Sequence, residues 1–177
     1  MYYIRKFSKP TSLYKIQYLT DKMQFEADFL KQELGTSGNT LSFWKFDDLN
    51  DNNNAVNAIL LSTTAIKDSV FYIIDDELLE KYNIDIDCNE PGKTGYIGYE
   101  NLHVNFCNLT YEKIGNMLEM INEAVHKPQY TYQLNKNEVI KIISEQDKNN
   151  LINYTKIDKY LKEDIEKYVK KAVEINI

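Results

Sequence analysis

Along this chain the spacing of apolar positions switches between two periods, and each switch marks an element. From residue 22 to 34 the apolar side chains Met23, Ala27, Leu30 and Leu34 recur at helical spacing. Thr20 or Asp21 stands in place to cap that helix and Gly35 lies beyond its end. Residues 36–39 read as a turn. From Thr40 to Phe46 the period becomes two, with Leu41 and Phe43 on one face and Ser42, Trp44 and Phe46 on the other. This predicts a strand covered in part on both faces. Residues 55–61 return to a helical pattern. Residues 69–74 are β-branched and aromatic without alternation, as expected of a central strand. A short helix over 77–82 leads into the strict alternation of 84–87, a half-buried strand. Leu102, Val104 and Phe106 form the inward set of another strand.

Thr110 then caps the clearest helical pattern, in which Ile114, Met117, Leu118, Ile121 and Val125 hold the period until Pro128. Residues 130–134 read as one more strand and 138–146 as a helix. Residues 155–177 predict a long amphipathic helix with Ile157, Leu161, Ile165, Tyr168, Ala172 and Ile175 on one side. Its other side carries Glu163 with Lys167 and Glu166 with Lys170, pairs contributing about 0.2–0.5 kcal/mol each. The apolar stripe either docks on the protein's own sheet or forms the seam of a homo-oligomer through residues 155–177. The expected fold is α/β (or α+β): a single mixed β-sheet of about five or six strands covered by helices. It is called mixed because helices separate most strands, while the pieces around 84–106 are too close for crossovers. A core domain over 1–134 would be followed by a C-terminal helical segment over 135–177.

Composition narrows the class. A chain of 177 residues with 43% hydrophobic and 27% charged side chains suits one water-soluble globular domain. The longest apolar runs, 58–61 and 70–74, are far shorter than the roughly 20 residues of a membrane-spanning helix. The N-terminus enters charge at Arg5 and Lys6 without the apolar core of a secretory signal, so a cytoplasmic protein with reduced Cys88 and Cys107 is expected. Net charge is −6, but it is uneven, because residues 47–123 hold 15 acids against 4 bases. Asp47, Asp48, Asp51, Asp75, Asp76, Glu77, Asp85, Asp87 and Glu90 cluster at predicted element ends. Such a block repels nucleic-acid backbone and favours a basic protein partner.

Motifs that carry chemistry fail when their spacing is tested. Gly92-Lys93-Thr94 ends like a phosphate-binding loop, yet Asp87 stands where the first glycine is needed and no helical period follows. A turn whose glycines supply positive φ is the expected alternative. Asp48, Asn50 and Asn52 have the opening spacing of a calcium loop, but Asn53 replaces its glycine and Ile59 its bidentate glutamate. Asp85 and Asp87 share a strand face, where they flank a cation or protect a sheet edge through charge. His103 and Cys107 lie four residues apart along one strand, too far for a dyad. Two scattered Cys and two His do not make a zinc pattern, and His126 reads as a cation near a helix end. The tyrosines and bases at Tyr2, Tyr3, Arg5, Lys6, Tyr14, Lys15 and Tyr18 come closest to a stacking surface, but the acidic middle opposes nucleic acid.

The sequence therefore reads as a non-catalytic acidic interaction protein, in the manner of an inhibitor, antitoxin or immunity protein. Its binding candidates are Asp47, Asp48, Asp51, Asp75, Asp76, Glu77 and Glu90, with no cofactor and no metal. The alternative is an enzyme acting on a nucleotide or nucleic acid, with Asp85, Asp87 and His103 as catalytic candidates grouped with Glu90 at strand ends.

Overall fold

The computed structural model describes residues 1–17, 27–36, 38–88 and 90–170. In chain order the elements are β1 (Tyr2–Lys6), α1 (Thr11–Gln17), α2 (Ala27–Glu33), β2 (Leu41–Phe46), α3 (Asn53–Leu60), β3 (Ser69–Asp75) and α4 (Asp76–Tyr82). They continue with β4 (Asp85–Asp87), β5 (His103–Cys107), α5 (Tyr111–Val125), β6 (Thr131–Leu134), α6 (Lys136–Lys148) and α7 (Lys159–Ile165). One six-stranded sheet has the order β4-β5-β2-β1-β3-β6.

The single sheet with its helices matches expectation, but its direction does not. Every pairing is antiparallel. The registers explain why. Strands joined through a helix do run parallel to each other, as β2 and β3 do through α3, or β5 and β6 through α5. Each such pair is interleaved with strands of opposite direction, so no two parallel strands become neighbours. Among the described residues crossovers are present, and parallel pairing is not.

Register also sorts the side chains. Tyr3, Arg5, Leu41, Phe43, Tyr72, Ile74, Val104 and Phe106 share one face, which α5 covers together with α1, α2 and α4. Ile4, Ser42, Trp44, Phe71, Ile73, His103 and Asn105 share the other, where α3 lies against β1 and β2 and packs on α6. All seven residues of β3 are buried, as its continuous apolar run predicts. Thr110 caps α5, accepting from the Lys113 N–H, and Met117, Leu118, Ile121 and Val125 face the core. His126 closes that helix with Nδ1 2.7 Å from the Asn122 carbonyl.

The helix expected over 22–34 is described from Ala27 onward, and its first half lies outside the described residues. The long terminal helix is not reproduced. Residues 155–158 form turn and cap, with Asp158 accepting the Tyr160 N–H at 2.8 Å. Helix α7 starts at Lys159 and continues as a π-helix over Glu166–Lys170, while residues 171–177 lie outside the described residues. Leu161, Ile165 and Val169 are buried against the rest of the chain. The Asp164 carboxylate accepts the Ile66 N–H at 2.8 Å, tying this helix to the segment before β3.

One charge sits poorly in this frame. Lys6 ends β1 opposite Phe71, and burial, then the nearby Lys67, lowers its amine from 10.5 to about 8. Between those values the unfolded chain binds more protons, so this group makes stability rise with pH through the window. Lys6→Met should raise unfolding free energy at neutral pH by about 1–3 kcal/mol. The gain should shrink as pH climbs towards 10.5. Urea unfolding of both proteins across that range checks this, and a constant difference would contradict it.

Candidate functional site

The second sheet face carries a polar trough. Its floor comes from β2 and β5, where Ser42 lies opposite Asn105 and Trp44 opposite His103. Thr40 extends the floor, Ser62 closes it from the end of α3, and Glu90, Pro91 and Lys93 form a wall, enclosing about 520 Å³. Two polar side chains in sheet positions are what keep this part of the face from closing as core.

The wall is fixed by a glycine. A Cβ on Gly92 would stand 2.5 Å from Trp44 Cη2 and 2.7 Å from His103 Cβ, so only glycine lets the backbone come this close. Its N–H donates to the Glu100 carbonyl at 2.9 Å. Gly95 is tight for a similar reason, with Ile157 Cγ2 only 2.1 Å from where a Cβ would be. Positive φ is therefore not the role of these two glycines; of this segment's glycines only Gly98 has it, at 86°. Thr94 is buried and donates its hydroxyl to the Ala58 carbonyl at 2.7 Å while accepting the Tyr96 N–H, so it ties the loop to α3.

His103 Nδ1 lies 3.0 Å from the Glu90 carbonyl. A carbonyl only accepts, so Nδ1 carries the hydrogen, and in the neutral ring Nε2 is left as an acceptor. Trp44 packs edge-on to this imidazole at 5.4 Å between centroids. Asn105 is only 8% exposed. Its Oδ1 accepts from Ser42 Oγ at 3.3 Å, which leaves its amide NH2 as a donor into the trough.

The acidic candidates fall at one end of the sheet. Phe46, Tyr2 and Asp75 are aligned in register, so the chain leaving β2 and the chain leaving β3 emerge on either side of the start of β1. The end of β4 at Asp87 and the start of β5 belong to the same end. Asp47, Asp48, Asp51, Asp76, Glu77 and Glu90 are exposed there, whereas Asp75 is buried. Asp75 caps α4, accepting the Leu78 N–H at 2.8 Å, takes the Tyr130 hydroxyl, and has Lys127 Nζ at 3.9 Å. Burial and then Asp75 push the Tyr130 phenol up. Asp76 accepts from Tyr3 Oη at 2.8 Å and pairs with the Met1 ammonium at 2.9 Å. Although burial pushes the Asp76 carboxyl up, these two donors hold it below the usual carboxylate range. A groove of about 550 Å³ beside this end is floored by Leu79, Ile84 and Ile86 and edged by Asp76 and Glu80.

The catalytic candidates do not converge. His103 and Glu90 line the trough. Asp87 is paired across the strand with Asn105. Asp85, at the far end of β4, is ion-paired to Lys113 at 2.7 Å, which holds its carboxyl below the ordinary range, and it also accepts from Asn108 Nδ2 at 3.2 Å. Among the described residues no group of three or more His, Cys, Asp and Glu is placed to hold a metal. No helix among them is long and apolar enough to cross a membrane. Sequence reasoning singled out His103 and Glu90 but missed Ser42 and Lys93 as trough residues. The available signal was Ser42 on the strand face it shares with Trp44 and Phe46, and Asn105 on the face it shares with His103. Compared with known proteins, the chain matches no family model, no curated protein and no solved structure.

Proposed function

We propose that this chain is a non-catalytic acidic interaction protein that meets a basic protein surface with the end of its sheet. The supporting observation is the register, which brings the chain after β2 and the chain after β3 out within two interstrand spacings, about 10 Å, of each other. Asp47, Asp48, Asp51 and Glu77 are exposed around that point. The adjoining groove with its apolar floor and carboxylate edge supplies area to desolvate beside the charges. Carboxylates on the rim steer a cationic partner and select it, while buried apolar contacts hold it. Asp75 belongs to the frame of this surface, not to its contact set.

Affinity capture from a lysate of the native host, read by quantitative mass spectrometry, tests the reading. The comparison is between the natural chain and one carrying Asp47→Asn, Asp48→Asn, Asp51→Asn and Glu77→Gln. All four positions are exposed, so the variant should fold as the parent does. The expected result is a basic protein retained at low salt and depleted about tenfold by the four substitutions or by high salt. Recovery of the same proteins by both chains, or of no protein at either salt, would overturn the proposal.

A further inference from the structure

We propose that the trough between β2, β5 and the 90–93 wall binds a small zwitterionic molecule of the amino-acid class. This site shares Glu90 with the acidic sheet end but uses none of Asp47, Asp48, Asp51 and Glu77, so it stands without that reading. Its rim holds two opposite charges, the Glu90 carboxylate and the Lys93 ammonium. Both are exposed, and neither has an ion-pair or hydrogen-bond partner among the described residues, the other included. Between them Gly92 is seated against Trp44 and His103 and bonded to the Glu100 carbonyl, so the charges stand apart on an anchored segment. A ligand with one ammonium and one carboxylate complements this pair without leaving net charge behind.

The interior adds polar groups of fixed role. On Asn105, a residue more than nine-tenths buried, Ser42 occupies the oxygen, and the amide NH2 has no partner among the described residues. His103 Nε2 offers an acceptor whose tautomer the Glu90 carbonyl determines. Because Asn105 lines the open trough, this donor is within reach of a ligand acceptor. The roughly 520 Å³ of space leaves room for a side chain beyond the two charged groups. Polyanions such as nucleotides fit poorly, since among the described residues Lys93 is the only lysine or arginine lining the trough and Glu90 opposes it.

The test is titration of the isotopically labelled full chain with each of the twenty common free amino acids separately, followed by nuclear magnetic resonance. At least one should shift the Asn105 side-chain amide and the His103 ring signals. Its affinity should fall about tenfold or more on Glu90→Gln and again on Lys93→Gln. The N-acetyl derivative should lose sensitivity to Glu90→Gln, and the methyl ester should lose sensitivity to Lys93→Gln. No shift at those two residues from any amino acid at saturating concentration would overturn the proposal. So would binding indifferent to both substitutions, or tighter binding of inorganic phosphate than of every amino acid.

Discussion

Replacing Phe43 with alanine should lower the unfolding free energy by about 3–5 kcal/mol, the range for removing a fully buried phenylalanine. Its ring has no exposure and lies stacked on Phe106 at 3.8 Å between centroids, with Tyr72 edge-on at 5.8 Å. These three rings come from β2, β5 and β3, so they bind the centre of the sheet across its strand order. The Arg5 guanidinium carbon lies 5.8 Å from the Phe43 centroid, and Arg5 Nε is buried without a hydrogen-bond partner. Truncating Phe43 would thus open a cavity and also strip a partly satisfied cation of its aromatic neighbour. Phe106→Ala should cost a similar amount, and the double variant less than the sum, because each single change already empties the shared contact. Tyr111, 96% exposed at the start of α5, is the control, and its alanine variant should stay within about 0.5 kcal/mol of the parent. Denaturant unfolding monitored by circular dichroism reads all four. A loss below about 1 kcal/mol at Phe43 would mean that the stacked rings are not where the sheet is held.

The second large effect is expected at Asp75. Asp75→Ala removes the cap of α4, about 1 kcal/mol. It also leaves the Tyr130 hydroxyl, on a residue only 7% exposed, without its acceptor. An orphaned buried hydroxyl costs about 1–3 kcal/mol, so the total should be about 2–4 kcal/mol. Asp75→Asn keeps a capping oxygen and should recover part of that loss, which separates the hydrogen bonds from the charge. The Tyr130 titration gives an independent check. Its phenol is raised by burial first and by Asp75 second, so Asp75→Asn should bring its ionisation down without returning it to an exposed tyrosine's. An unchanged titration would show that the carboxylate does not sit against the ring hydroxyl in solution.

Local pattern predicted the elements well where the chain's own neighbours decide conformation. The alternation through 40–46, the unbroken apolar run at 69–74 and the period from Ile114 to Val125 each became the element they imply. The hydrophobic period passed over the capping box of Asn135 with Glu138, which starts α6 at Lys136, two residues ahead of the expected start. What sequence did not disclose was long-range. Tyr2–Lys6 reads as an aromatic and basic patch, yet it is an inner strand paired on both edges, because the partners that bury Tyr3 and Ile4 come from residues 44–46 and 71–75. Interleaving of helix-linked strands is likewise invisible to any window along the chain. The trough escaped for the same reason, since Ser42 and Asn105 are 63 positions apart and meet only through the register of β2 with β5. The acidic end is a mixed case. Its residues were countable in the sequence, but which of them face solvent and which cap a helix was not, and Asp75 beside Asp76 shows how one step along the chain separates the two roles.

Amide hydrogen exchange of the chain in complex with its captured partner tests the central claim most directly. The account predicts added protection in residues 46–52 and 76–80, with β6 and α6 unchanged. Protection confined to α6, α7 or the β6 edge, with the sheet end exchanging as in the free protein, would contradict it.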